Sequence, residues 1–351
     1  MASLKTEGTE LSLGFGLLDV NPRDVALEQL PTLFEGTLPA AKYEAFQAEY
    51  QANPGLYQAF VEGGRRLRQS HELFNHLTHL RWTGMTRQAA TTSAAVDLLA
   101  ANTPISVKNE SNVVLNGSPF NVFVSMPTGQ SAASRTDNWY QYTDSAGIQA
   151  LYGFVSQRLA AIRPIHATFA EFDAHAAKPV RKEVQQLISE LADPDRVEFI
   201  RLYTSMCHRV ADVSAEVFNR NVAEAMRSTR SVSIIENIVE HCFRINSTSY
   251  ILAGMDKGHF YTLVIPDITG WKRAWRVNHI QATPDAESGQ SVVNVVLEIG
   301  ARAAGAINRR YEFHVEIRWS HGKFCGSPEA KLYKNFPWSD VPFFSVIVEP
   351  Q

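Results

Sequence analysis

Asp97 and Lys108 lie eleven positions apart, each within its own apolar run, AAVDLLA and PISVKNESNVVL. Asn102-Thr103-Pro104 between the runs is turn chemistry. If the two runs are neighbouring strands, the turn brings Asp97 and Lys108 side by side. Along the second run Ser106, Lys108 and Glu110 alternate and share one face, while Val107 points to the other. Carboxylates set out this way hold a hard, oxygen-seeking cation such as Mg²⁺. Such a cation polarises a phosphoryl oxygen and acidifies a bound water, and a lysine alongside orients or deprotonates that water. The chemistry is that of phosphodiester hydrolysis, with Asp97 and Glu110 as carboxylates and Lys108 as the water-directing group.

Several elements must position these residues. From Ala40 to about Leu80, apolar residues recur at three- and four-residue steps (Tyr43, Phe46, Tyr50; Tyr57, Phe60, Val61; Leu67, Leu73, Phe74, Leu77, Leu80), which predicts helix, broken at Asn53-Pro54-Gly55. Residues 1 to about 35 are mixed, punctuated by Pro22 and Pro31. Between about Ala94 and Val124, AAVDLLA, PISVKNESNVVL and FNVFVSM are short β-rich runs, and Asn116-Gly117-Ser118-Pro119 is a second turn. A polar loop runs from about 126 to 138. A helical stretch follows from about Ser145 to Arg244, divided by Pro164, Pro179 and Pro194, with Asp193 as N-cap and Pro194 at the first helical position of one segment. From about Asn246 onward SYILAGM, HFYTLVIP, AWRVNHIQAT, SVVNVVLEI and YEFHVEIRWSHGKF read as successive strands.

Helix, strand with Asp97, turn, strand with Ser106-x-Lys108: in that order the segment resembles the PD-(D/E)XK nuclease superfamily, whose fold is restriction-endonuclease-like. There an acid on one strand is followed on the next by an acid-x-lysine triplet, and a glutamate from the preceding helix often joins the metal shell. The resemblance covers residues 60 to 125. It implies Asp97 as the first acid, Lys108 as the lysine and Glu72 as the helix glutamate. Val96 stands where proline is typical, and Ser106 takes the place of the triplet acid, a Ser-x-Lys variant that some branches carry, with Glu110 able to supply the acid. The implied metal ligands are Asp97, Glu72 and Glu110, with Mg²⁺ as the cofactor. The implied activity is hydrolysis of double-stranded DNA, as in a type II restriction endonuclease. Cutting both strands at a symmetric site needs two active sites about a twofold axis, hence a homodimer.

The fold expected is α+β: a helical N-terminal region with a nuclease-like core of mixed sheet flanked by helices (1–160), a helical region (161–245), and a mostly antiparallel β region for recognition or dimerisation (246–351). Within the last, Glu316-Ile-Arg318-Trp319-Ser320-His321-Gly322-Lys323 is a strand with a basic, flexible end, and Pro328-Glu329-Ala330-Lys331 follows. Arg318, His321, Lys323 and Lys331 are candidate DNA contacts. So are Arg273 and Arg276 in Trp271-Lys272-Arg273-Ala274-Trp275-Arg276, where aromatic and basic residues interleave.

Composition narrows the classes further. With 45% hydrophobic and 20% charged residues, the 351-residue chain can bury a large core. A net charge of −3 is not that of a non-specific DNA coat, although a local basic patch suits an enzyme that clamps DNA. The first residues lack the basic-then-apolar pattern of a secretory leader, and no run is long enough for a membrane helix. Cys207, Cys242 and Cys325 are odd in number and far apart, which predicts ordinary buried thiols and a cytoplasmic location. His71-Glu72 lacks the second histidine of a zinc peptidase, and neither a phosphate loop for a nucleotide cofactor nor a nucleophile elbow occurs. Two rival readings remain. One is a non-catalytic DNA- or protein-binding module with a degraded nuclease fold. The other is an enzyme of another class, built on Glu316, Arg318 and His321.

Overall fold

The computed structural model describes residues 4–35, 38–83, 96–130, 138–159, 166–228, 231–303 and 308–348. The fold is α+β, with one mixed and one antiparallel sheet. In chain order the strands are β1 (Phe34–Glu35), β2 (Leu80–Trp82), β3 (Leu98–Ala100), β4 (Thr103–Asn109), β5 (Val113–Gly117), β6 (Tyr250–Asp256), β7 (His259–Ile265), β8 (Trp275–Pro284), β9 (Ser291–Ala301), β10 (Asn308–Trp319), β11 (Pro328–Lys334) and β12 (Ser345–Val348).

These elements form two compact units that the chain enters twice or more. The first comprises Met1–Asn112, Phe243–Ala274 and Phe336–Gln351; the second comprises Val113–Cys242 and Trp275–Asn335. The three consecutive segments expected from the sequence are therefore replaced by two interleaved ones. Strands distant in sequence are the cause: β6, β7 and β12 join β1–β4, whereas β8–β11 join β5. The C-terminal β region is thus shared between two sheets.

In the first unit the sheet order is β1-β2-β3-β4-β6-β7-β12. β2, β3 and β4 run antiparallel in sequence, and β4 then pairs in parallel with β6, Ser106 opposite Leu252 and Lys108 opposite Gly254. Against this sheet lies the helix Leu4–Leu17, buried from Gly8 to Leu17 around its whole circumference. A helix buried on all sides has no polar stripe to reveal it, which is why the sequence left this segment as mixed. It crosses the helix Pro54–Ser70 at Gly16 and Gly64. A Cβ on Gly64 would stand 2.4 Å from the Leu13 carbonyl oxygen, so only glycine lets the two backbones approach this closely. Phe15 stacks on Phe46 at 5.9 Å, and Tyr43, Tyr57, Phe60, Ile105 and Ile251 complete the core.

Two local expectations change here. The helical pattern ends at Ser70 rather than running to Leu80; Glu72–Phe74 is a single 3₁₀ turn, and Leu80 begins β2. FNVFVSM is helical, not a strand. Ser118 Oγ accepts the Phe120 N–H at 3.3 Å, so Ser118-Pro119 acts as a helix start. Val122 and Phe123 are then buried, with Phe123 stacked on Trp139.

In the second unit β5-β11-β10-β9-β8 form an antiparallel sheet. The 32-residue helix Asp195–Met226 lies along it. This helix begins at Asp195, not Pro194, and Asp193 pairs with Arg196 at 3.3 Å instead of capping. Asn219 closes the β8 edge like an added peptide group: its amide donates to the Ala282 oxygen at 2.8 Å and its Oδ1 accepts the Ala282 N–H at 2.8 Å. The expected polar loop lies mostly at 131–137, outside the described residues, as does the AAVDLLA run before Val96. Cys207 and Cys242 are buried free thiols and Cys325 is half-buried. Among the described residues no helix is long and apolar enough to cross a membrane.

Candidate active site

Asp97 precedes β3 and is fixed through backbone and side chain together. Its N–H donates to the Ile105 oxygen at 2.9 Å, and its own carbonyl accepts the Thr83 N–H at 3.0 Å. Its carboxylate then caps the neighbouring strand: Oδ2 accepts the Val107 N–H at 2.6 Å and the Ser106 hydroxyl at 3.2 Å. Ser106 is fully buried, so this hydroxyl has a structural partner and stands where a carboxylate would repel Asp97. Lys108, two residues along β4, places Nζ 3.9 Å from the same Asp97 Oδ2. The two residues singled out by spacing are brought together as expected.

The third member is Glu10, on the helix Leu4–Leu17. It is 4% exposed, and its Oε2 accepts the Trp82 indole N–H at 2.8 Å. Burial and, next, the negative charge of Asp97 push its carboxyl up to about 7. Lys108 acts in the opposite direction on Glu10 and is itself lowered from the ordinary lysine value, by burial and then by the positive charge of Arg244. Glu10 therefore resists ionisation in its buried place near Asp97, and the Lys108 ammonium releases its proton more readily than usual. Perturbation of this kind is a mark of functional sites.

Glu10 thus stands where Glu72 and Glu110 were expected, and neither of those joins the cluster. Glu72 is exposed in the 3₁₀ turn after its helix has ended, with Phe74 the buried residue of that turn. Glu110 falls just past the end of β4, with φ +46° and its N–H bonded to the Met255 oxygen at 2.9 Å. The turn takes it out of the alternation and leaves it exposed. Sequence reasoning missed Glu10 and Arg244. The one available signal for Glu10 was a single acid directly before the apolar and small run LSLGFGLL.

The C-terminal candidates have other partners. Arg318 donates to Glu329 at 3.1 Å and lies 3.5 Å from Glu316; Lys331 is 3.6 Å from Glu329; the Tyr333 hydroxyl donates to Glu316 at 3.1 Å. Cations already paired across β10 and β11 offer less to phosphates. Lys323 lies over the Tyr203 ring at 4.5 Å. His321 sits exposed in the turn after β10, so the rival set of Glu316, Arg318 and His321 is only partly assembled. Arg273 is exposed at the end of the helix Ile268–Ala274, and Arg276 is exposed near the start of β8. Trp271 is not a stacking platform: it is buried edge-on against Phe343 at 6.0 Å.

No family model matches the chain, and no curated protein or solved structure compared with it does so either.

Proposed function

We propose that the first unit is a metal-dependent nuclease of the PD-(D/E)XK type that hydrolyses double-stranded DNA, with Asp97, Lys108 and Glu10 at its centre. The observation that carries this reading is the meeting of an acid from one strand, the lysine of Ser106-x-Lys108 from its neighbour, and a buried acid from a helix. The donor set fits Mg²⁺, which takes one or two carboxylates and keeps several waters. Asp97 and Glu10 would hold the ion, since Glu10 is kept up by burial and by a neighbouring negative charge that a cation would offset. Bound there, Mg²⁺ supplies Lewis acidity to a phosphoryl oxygen and to a water.

The chain's own groups do the rest. Val107 N–H and Ser106 Oγ keep Asp97 from rotating, so its free oxygen keeps one direction. Lys108 directs the water and accepts its proton as the water oxygen bonds to phosphorus. One ester P–O bond breaks, and the departing oxygen takes a proton from solvent. Two copies about a twofold axis would cut both strands of a symmetric sequence, as a type II restriction endonuclease does.

The test is incubation of the purified protein with long, sequence-diverse duplex DNA in Mg²⁺ and in EDTA. Cleavage is expected in Mg²⁺ only, and it is expected to vanish in Asp97→Ala and Lys108→Ala while DNA binding remains. Intact DNA from the wild type, or full activity in either variant, would refute the assignment.

A further inference from the structure

Lys108, Gly254 and Tyr261 lie in one row across β4, β6 and β7, in register and on the same sheet face. Gly254 has no side chain to separate its neighbours. A Cβ there would come within 2.7 Å of both the Lys108 carbonyl oxygen and the Tyr261 hydroxyl. Arg244 acts electrostatically on Lys108, Tyr261 and Tyr250, so its guanidinium belongs to the same neighbourhood.

Arg244 is held there at some cost. Its φ of +57° is left-handed, a conformation that non-glycine residues adopt only where their surroundings impose it. Here Phe243 and Ile245 on either side are fully buried, and the Arg244 carbonyl accepts the Tyr250 hydroxyl at 2.8 Å. The side chain is only partly satisfied: it hydrogen-bonds with Tyr250, but its Nε is buried without a partner, and among the described residues no carboxylate is paired with the guanidinium. A buried donor left unpaired beside a second cation is unfavourable unless an anion completes it.

We propose that Arg244 is a phosphate-binding residue of this site, its guanidinium gripping the non-bridging oxygens of the phosphodiester beside Lys108. The inference rests on the nuclease reading and adds the group that holds the substrate anion. Arginine suits the role because its planar fork donates two parallel hydrogen bonds to one phosphate. Asp97 and Glu10 would hold the cation, and Arg244 would answer the negative charge of the phosphate.

The experiment measures binding of a fluorescein-labelled 30-base-pair duplex by anisotropy in EDTA, from low to moderate salt, for wild type, Arg244→Ala and Arg244→Lys. Cleavage of long duplex DNA in Mg²⁺ is measured on the same preparations. Loss of one phosphate contact lowers the slope of log affinity against log salt by about 0.9. Arg244→Ala is expected to show that loss together with a cleavage rate at least ~100-fold lower, the order seen when one oxyanion donor is removed. Arg244→Lys is expected to recover the slope, through its charge, but not the rate. A purely structural role would leave the slope of folded protein unchanged. If Arg244→Ala does not fold, Arg244→Lys decides alone: a wild-type cleavage rate in it overturns the proposal. If wild type cleaves while both variants keep its slope and rate, the phosphate grip is refuted and the nuclease reading stands. If wild type binds without cleaving yet Arg244→Ala loses slope, the nuclease reading fails and the grip stands. A wild type that neither binds nor cleaves overturns both.

Discussion

Glu10→Gln should stabilise this protein, and by an amount that depends on pH in a defined way. The carboxyl of Glu10 is pushed from 4.5 to about 7, first by burial and then by Asp97. Between those values the native state holds a proton that the unfolded chain has released, so stability falls as pH rises. Each pKa unit corresponds to about 1.4 kcal/mol, and the full penalty of an ionised Glu10 is therefore about 3 kcal/mol above pH 8. Glutamine carries no charge at any pH, and its carbonyl can still accept the Trp82 indole N–H that Glu10 Oε2 accepts at 2.8 Å. Urea denaturation in EDTA, followed by tryptophan fluorescence, should show the variant ahead by less than about 1 kcal/mol at pH 5 and by about 3 kcal/mol at pH 9. Mg²⁺ at pH 9 should close the gap from the wild-type side, because a bound cation stabilises the ionised form. Cleavage should meanwhile be lost. A gain independent of pH, or a variant less stable than wild type at pH 9, would refute the placement of Glu10 against Asp97.

Two further substitutions test the frame around the site. Gly254→Ala introduces a Cβ 2.7 Å from the Lys108 carbonyl oxygen, a backbone atom that cannot swing aside; overpacking of this kind costs about 1–3 kcal/mol, and the shift of β4 against β6 should lower cleavage more than DNA binding, a split read from single-turnover rates and anisotropy. Asn219→Leu removes the two hydrogen bonds that Asn219, on the long helix of the second unit, makes to Ala282 of the edge strand β8; leaving the Ala282 N–H and carbonyl unpaired should cost about 2–4 kcal/mol in denaturation without changing Mg²⁺ dependence of cleavage.

The sequence alone was enough to bring Asp97, Ser106 and Lys108 together at β3 and β4. Alternation, a turn and the residue types at 97, 106 and 108 are local properties, and a two-stranded antiparallel step is the shortest-range contact a sheet can make. The helices between Ala40 and Ser70 and from Ser145 to Phe243 were legible for a similar reason. Each leaves a polar face toward water, and that face writes a period of about 3.6 into the sequence.

Tertiary structure alone decided the rest, through contacts with no local signature. Glu10 comes within electrostatic reach of Asp97 across 87 positions of the chain, from a helix so thoroughly buried that its sequence shows no amphipathic stripe. Glu110 keeps its place in the alternation of the sequence but loses it in space, because the backbone turns left-handed at that one residue. Arg244 reads as the polar end of a helix until β6 pairs in parallel with β4 and brings it beside Lys108. The assignment of β6, β7 and β12 to one sheet and β8–β11 to another depends on which edges remain open after the core has closed. Strand propensity records that a segment will pair, and only the packed core determines with which partner.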